Sequence, residues 1–395
     1  MSLLERLLLL LFVGAALTFG YIDLEVGFAA GSHWVNAPVV DVFAIGFLLV
    51  WCWRVLRRQG SHVPWPGGVA YVGFCVVALV SALCANAPFD ATHDWLRKIV
   101  FYYAAFGVAI SHWVATRGAP ANLLRALTLG IAVLASVSVV TSLARWGSGA
   151  TLWHVSLDGL TPNHKTLAVA LAPCLPLLLG WREQVRSKER KLLGVVIGLL
   201  VIAVGLSASK AAWICLAFGA LIWFPRPQRA IGWRWKWAVP FVVCSLAAAL
   251  YLPVLMGSKA MLDSARSRHS LNVRTALMLA QAPAFGAGPG SSVEVEMVEF
   301  PHYRINGVDA HGVVQKIAGE TGVLGLAAYG LFAATVLITA ARRRRCSVLH
   351  AGAAGTLVAL HLNLLLSTET FSPTHWFVFA VCWGLLYGPG TRGEA

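Results

Sequence analysis

The sequence has little charge for its length. Of its 395 residues, 12% are Asp, Glu, Lys or Arg and 58% are hydrophobic, whereas a soluble globular protein carries about 25% charged residues. A chain with so little charge cannot cover a soluble surface, and a chain so rich in apolar residues is not intrinsically disordered. We therefore predict an integral membrane protein.

The sequence also lacks the residue patterns of several common sites. Its eight cysteines form no C-x-x-C pair, and no Gly-Lys-Ser/Thr completes a phosphate-binding loop. His269, His302 and His311 do not have the spacing of zinc ligands. We therefore predict no metal and no cofactor. We also predict no nucleic-acid partner despite the net charge of +14, because no soluble domain is present to carry a basic binding face.

Apolar runs recur along the whole chain, and many approach the roughly 20 residues that cross a bilayer as a helix. They lie near residues 7–20, 37–53, 67–85, 99–116, 126–144, 166–181, 192–209, 211–224, 237–258, 321–341, 346–368 and 370–391. The sequence therefore predicts an all-α polytopic membrane protein with about twelve transmembrane helices. Nine fall within residues 1–256 and three within residues 313–395.

The distribution of basic residues predicts the orientation of these helices. Most of the 31 Lys and Arg residues lie in alternate short connections, which the positive-inside rule assigns to the cytoplasm together with both termini. The remainder, including Arg145, Lys210 and Arg274, lie on the far side. Of these we expect Arg97 and Lys98 to snorkel to lipid headgroups.

One predicted connection is much longer than the others and spans residues 257–312. Its stretch 265–281 has a helical pattern that places Arg274 on the same side as other polar residues. The pattern ends before Pro283, and the glycine-rich run 286–290 follows, whose backbone can approach a ligand closely. Long loops of this kind are usually functional, so we predict a loop domain with short helices on the far side of the membrane.

The residues that follow this loop allow more than one reading. His311 enters the tenth predicted span, where a histidine serves either as a structural residue or as a general base. Lys316 and Glu320 are four residues apart, so we expect them to pair. Within the loop, Arg268 and Arg274 could bind a phosphate or could pair with the acidic residues of residues 294–309.

Four segments occur in a distinctive order along the chain. They read Gly-Leu-Thr-Pro-Asn-His-Lys at 159–165, Ser-Lys-Ala-Ala at 209–212, Arg274 with Pro-Ala-Phe-Gly-Ala-Gly-Pro-Gly at 283–290, and His-Gly-Val-Val-Gln-Lys-Ile-Ala-Gly-Glu-Thr-Gly at 311–322. Together they resemble the motifs of the O-antigen ligase and polymerase superfamily of bacterial envelope glycosyltransferases. The chain departs from those motifs at Gly312, where Asn is usual, at Lys210, where Arg is usual, and at Met278, where Trp is common.

The resemblance implies a GT-C-like fold in the bacterial inner membrane, with the active site facing the periplasm. It implies an O-antigen ligase of lipopolysaccharide biosynthesis, which transfers polysaccharide from undecaprenyl pyrophosphate to the lipid A–core oligosaccharide. The transfer would be inverting and independent of metal. His311 would deprotonate the acceptor hydroxyl. The substrate-binding residues would be Lys210, Arg274, Arg268, Arg145, Asn163 and His164.

Two other functions share some of these features. An O-antigen polymerase would use the same donor but extend a lipid-linked glycan, and such enzymes tend to have two sizeable periplasmic loops. The second-largest predicted loop, near residues 145–165, is modest, which favours a ligase. A flippase of lipid-linked sugars would often show repeated halves and charges near mid-membrane, whereas here no repeat is evident and the charges concentrate at one face.

Overall fold

A computed structural model of the chain describes residues 25–30, 33–57, 65–117, 120–147, 171–206, 209–223, 243–244, 247, 258–291, 312–366 and 373–388. Every regular element in these ranges is a helix, except for one antiparallel hairpin. The hairpin pairs β1 (Glu25–Ala30) with β2 (His33–Pro38). The hairpin is not predicted from the sequence, because most of its residues fall in a short connection between two apolar runs.

The helices follow the apolar runs of the sequence. They are α1 (Val39–Arg57), α2 (Gly68–Leu83), α3 (Pro88–Thr116), α4 (Pro120–Gly147), α5 (Leu175–Arg182), α6 (Ser187–Leu206), α7 (Lys210–Trp223), α8 (Ser258–Gln281), α9 (Val313–Arg343), α10 (Val348–Leu366) and α11 (Pro373–Leu386). Helix α3 widens to π-helical geometry over Trp95–Phe101 and Tyr103–Ile110. A short 3-10 turn, Ala172–Cys174, precedes α5.

Several of these helices have the length and composition of membrane spans. Four are long and apolar enough to cross a bilayer, namely α3, the Ala121–Val140 part of α4, α9 and α10, and three shorter apolar helices are α2, α7 and α11. Their outer faces expose large apolar side chains such as Leu331 and Val133, which suits contact with lipid. The helices therefore indicate a membrane-associated protein. The predicted spans near 7–20 and 237–258 lie largely outside the described residues, so the count of twelve stays a prediction.

Aromatic rings hold the centre of the helix bundle together. Tyr71 of α2 stacks on Tyr103 of α3, with ring centroids 3.7 Å apart, and meets Phe332 of α9 and Trp376 of α11 edge-on. All four side chains are buried. Such ring pairs add to the stabilisation from apolar burial, so this cluster fixes the mutual position of four helices.

One end of the bundle collects basic residues from several helices. Arg125 pairs with Glu189 at 2.6 Å, and Arg190 pairs with Glu183 at 3.2 Å. Arg343 donates to the carbonyl of Leu386 at 2.8 Å. These contacts join α4, α5, α6, α9 and α11 at a single end, which we call the basic end.

The opposite end is reached along α6, whose 20 residues carry the chain about 30 Å. There α7 begins at Lys210, and Gly312, which precedes α9, abuts the carbonyl of Leu365 at the end of α10. Helix α2 ends at the same level, because the Ser81 hydroxyl donates to the Glu320 carbonyl at 2.6 Å. This end therefore gathers most of the described segments that the sequence motifs involve.

The two basic residues at the start of α3 have partners within the protein. Arg97 Nε donates to Asp41 Oδ2 at 2.9 Å, and the Tyr102 hydroxyl donates to the other oxygen of that carboxylate at 2.9 Å. Lys98 Nζ lies 2.6 Å from Asp94 Oδ2. Both basic residues therefore have acidic partners in the protein, and their snorkelling to lipid headgroups stays a prediction. Each of the two side chains also keeps part of its surface exposed beside its acidic partner.

Candidate functional site

Helix α9 is broken one third of the way along its length. Gly322 has φ 68° and ψ −169°, which no helical residue adopts. In a continuous helix the N–H groups of Val323 and Leu324 would donate to the carbonyls of Gly319 and Glu320. The break frees these two donors and two acceptors, and buried backbone groups of this kind need partners.

A segment from the long loop supplies all four partners. We call residues 282–291 the glycine loop; it follows directly after α8. Its backbone makes four hydrogen bonds across the break: Ala287 N to Gly319 O at 2.9 Å, Gly288 N to Glu320 O at 2.9 Å, Val323 N to Pro283 O at 3.0 Å, and Leu324 N to Ala284 O at 3.3 Å. The glycine loop is thus built into the backbone ladder of α9.

Glycine is needed on both sides of this contact. A Cβ on Gly322 would overlap the carbonyl of Ala284, and a Cβ on Gly286 would overlap the backbone of Glu320 and Thr321. Both glycines also have positive φ, 68° and 69°, where other L-residues are strained. The glycines of the run 286–290 and of the Glu-Thr-Gly motif are therefore explained by one contact, the close approach of the glycine loop to α9.

Replacing Gly322 with Ala should break the hydrogen bonds between the glycine loop and α9. The positive φ costs about 1–2 kcal/mol in a residue with a Cβ, and the overlap with the loop adds about 1–3 kcal/mol. We expect the purified protein in detergent to lose about 2–5 kcal/mol of unfolding free energy. The matched control is Gly330→Ala on the same helix, where nothing lies within 4 Å of the added methyl. Equal unfolding temperatures for the two variants would show that the close approach is not required.

Arg274 holds the glycine loop from the α8 side. Its side chain is 5% exposed, and Nη2 donates to the carbonyl of Ser291 at 3.4 Å. Met278, one turn further along α8, is buried and lies against Gly319 of α9. The sequence-predicted Arg274 is therefore brought to the glycine loop and to the part of α9 that follows His311.

Four charged side chains from two helices lie beside this loop. Lys316 Nζ is 3.9 Å from Glu320 Oε1, and both side chains are buried, which confirms the expected pair. Lys316 and Glu320 line a small cavity. The Lys98–Asp94 pair of α3 and Gly290 of the glycine loop line this cavity too. The four side chains carry no net charge, and the buried ions Lys316 and Glu320 are each other's counter-ion.

A larger cavity lies next to the same loop and shares Asp94, Pro289 and Gly290 with the small one. Its volume is about 540 Å³. One side is formed by the start of α3 and the turn before it, and the other side by the end of α8 and the glycine loop. Its polar lining comes from Asn86, Asp90, His93, Asp94, Gln281 and Ser291. The cavity volume falls in the range typical of small-molecule sites, about 300–1,000 Å³.

Of the remaining predicted site residues, the structure describes some fully, some only as part of a helix, and others not at all. Lys210 is the first residue of α7, at the same end of the bundle but on a helix that packs mainly on α10 and α5. Arg145 and Arg268 lie in α4 and α8, and their side chains are outside the described part of the chain. His311, Asn163 and His164 lie outside the described residues, although His311 directly precedes Gly312, which is described.

The α3 side of the site is not predicted from the sequence. Asp90, His93 and Asp94 line the cavity, yet none belongs to a motif. The signal present in the sequence is the four-residue spacing of Asp94 and Lys98 just before an apolar run, which indicates an ion pair at a helix entry.

Neither protein-family models nor curated protein sequences give a match to the chain. Its function is therefore inferred from the residues and geometry of this site.

Proposed function

We propose that the protein is an O-antigen ligase. It transfers a polysaccharide from undecaprenyl pyrophosphate to the lipid A–core oligosaccharide at the periplasmic face of the bacterial inner membrane, with inversion at the transferred sugar and without a metal. Both termini of the roughly twelve-span chain are then cytoplasmic, and the glycine-loop side of the bundle faces the periplasm.

The observation that carries the proposal is the docking of the glycine loop into α9. Two segments that are well separated in the sequence, and that both resemble motifs of this superfamily, share four backbone hydrogen bonds. Arg274 is anchored to the same loop through Ser291. The contact thus assembles a buried cation, a backbone rich in glycine and the helix that starts beside His311.

The chemistry of such a transfer fits these residues. The acceptor hydroxyl attacks the anomeric carbon, the bond from that carbon to the pyrophosphate oxygen breaks, and undecaprenyl pyrophosphate leaves with the bonding electron pair. His311 takes the hydroxyl proton, because imidazole exchanges protons near neutral pH. A single displacement of this kind inverts the anomeric configuration.

The leaving group collects negative charge during this step, so cations placed there lower the barrier. We assign this stabilisation of the pyrophosphate first to Arg274 and Lys210, and then to Arg268 and Arg145. Lys210 keeps the charge of the arginine usual in the superfamily but not its two-pronged geometry. Asn163 and His164 contribute to the binding of the donor. Membrane lipids surround the apolar helices and allow the polyprenyl tail to enter from the side.

The test is a reconstitution with purified protein in liposomes, in the presence of chelator and without ATP. Glycan-bearing undecaprenyl pyrophosphate and lipid A–core are supplied together, and the glycan on each lipid is followed. The proposal predicts glycan on lipid A–core. Longer glycan on undecaprenyl pyrophosphate alone would instead establish a polymerase, and unchanged lipids with donor crossing the bilayer would establish a transporter.

A further inference from the structure

The cavity of about 540 Å³ beside the glycine loop has fixed walls. One wall is the glycine loop, which is held by its four hydrogen bonds to α9. The other wall is the start of α3, where Asp94 is held by Lys98 at 2.6 Å. Walls that are held in this way give a binding site its shape before a ligand arrives.

The lining of the cavity combines hydrogen-bonding groups with small apolar surfaces. Carboxylates come from Asp90 and Asp94, and carboxamides come from Asn86 and Gln281. Between them lie alanines, a proline and Met278. Planar groups that accept or donate two hydrogen bonds suit vicinal hydroxyls, and the apolar surfaces suit the C–H faces of a sugar ring.

Charge argues against a phosphate at this position. Lys98 neutralises Asp94, but Asp90 adds a second carboxylate to the lining, and no Lys or Arg among the described residues lines the cavity. A pyrophosphate would be repelled by these carboxylates, and the cations assigned to it, Lys210 and Arg274, are not among the lining residues. Among the described residues, no three His, Cys, Asp or Glu side chains converge as metal ligands, so the acidic lining does not form a cation cage either.

We infer that this cavity binds a sugar ring of the acceptor oligosaccharide. The inference rests on the proposed ligase function and assigns the acceptor a subsite that is separate from the cations for the donor. A second, small cavity of about 10 Å³ is lined by Asp94 and Gly290, which also line the large one, and by Lys316 in the first turn of α9. A ring held in the large cavity would therefore lie close to the first turns of α9.

The test compares two cavity variants with a matched control. Ala87 lines the cavity, so Ala87→Trp should fill it, and Asp90→Ala removes a charged hydrogen-bond acceptor. Ala276→Trp makes the same substitution at an exposed position of α8 that does not line the cavity. Initial rates are measured against lipid A–core concentration and, separately, against donor concentration.

We expect Asp90→Ala to raise the KM for lipid A–core about tenfold, as loss of a charge-assisted hydrogen bond would, and Ala87→Trp to raise it by about tenfold or more because the indole occupies the cavity. The KM for the donor should stay within about twofold of wild type, since Arg274 and Lys210, the first residues assigned to the donor, do not line the cavity. Ala276→Trp should leave both values unchanged. An unchanged acceptor KM in both cavity variants, or a raised donor KM in its place, overturns the inference.

A binding measurement separates this inference from the ligase proposal. Saturation-transfer NMR follows delipidated core oligosaccharide on the protein in nanodiscs and needs no turnover. Signals that are present in wild type and Ala276→Trp but lost in Ala87→Trp support a sugar site, even if no glycan transfer occurs. Signals that are equal in all three proteins, or absent from wild type, contradict it.

Discussion

Replacement of His311 with Ala is expected to lower glycan transfer by about 10²–10⁴-fold, the contribution typical of a general base. The acceptor hydroxyl would then have to lose its proton without a base in the site. Binding of donor and acceptor should change little, since the proton moves only in the transition state. The loss should therefore appear in kcat, measured with both substrates near saturation.

The control for this variant comes from the same loop. His269 is exposed on α8, and His269→Ala should keep transfer within about twofold of wild type, as expected for a surface position. Both variants should insert and unfold like the wild type in detergent. If His311→Ala transfers glycan at the wild-type rate, His311 is not the base.

Replacement of Arg274 with Ala is expected to lower transfer by about 10²–10³-fold, which is the usual effect of removing one group that stabilises developing charge. Arg274→Lys should recover part of the activity, because the charge is kept while the planar geometry is lost. The measurement is kcat at saturating donor for the three proteins.

Because Arg274 is buried and bonds the carbonyl of Ser291, its loss also affects folding. Unfolding of each variant in detergent is therefore measured beside activity, and rates are expressed per folded molecule. Arg125→Ala, which removes an exposed arginine at the basic end, is the matched control and should retain activity. If the folded Arg274→Ala variant transfers glycan at the wild-type rate, Arg274 holds the glycine loop in place but does not stabilise the leaving pyrophosphate.

Local patterns in the sequence predict the helices well. The described apolar runs form helices such as α2, α9 and α10, and α8 ends at Gln281, just before Pro283, as expected. The pair Lys316–Glu320 also follows from spacing alone. These features depend on residues within one or two turns of each other, so the sequence specifies them directly.

Contacts between distant segments are not predicted in the same way. Arg97 and Asp41 are 56 residues apart, and no periodicity connects them. Gly322 stands at the start of an apolar run that reads as one continuous helix, so nothing local shows that another segment enters the ladder there. The cavity is lined by segments from α3 and from the glycine loop, and only the packing of α2, α3, α8 and α9 brings them together.

The measurement that tests the central claim most directly is the intact mass of lipid A–core after incubation with purified wild-type protein and a donor of known glycan mass, without ATP and with chelator. The account predicts an acceptor whose mass increases by one transferred glycan, with undecaprenyl pyrophosphate released in equal amount and neither product formed by His311→Ala. Consumption of the donor with an unchanged mass of lipid A–core would contradict it.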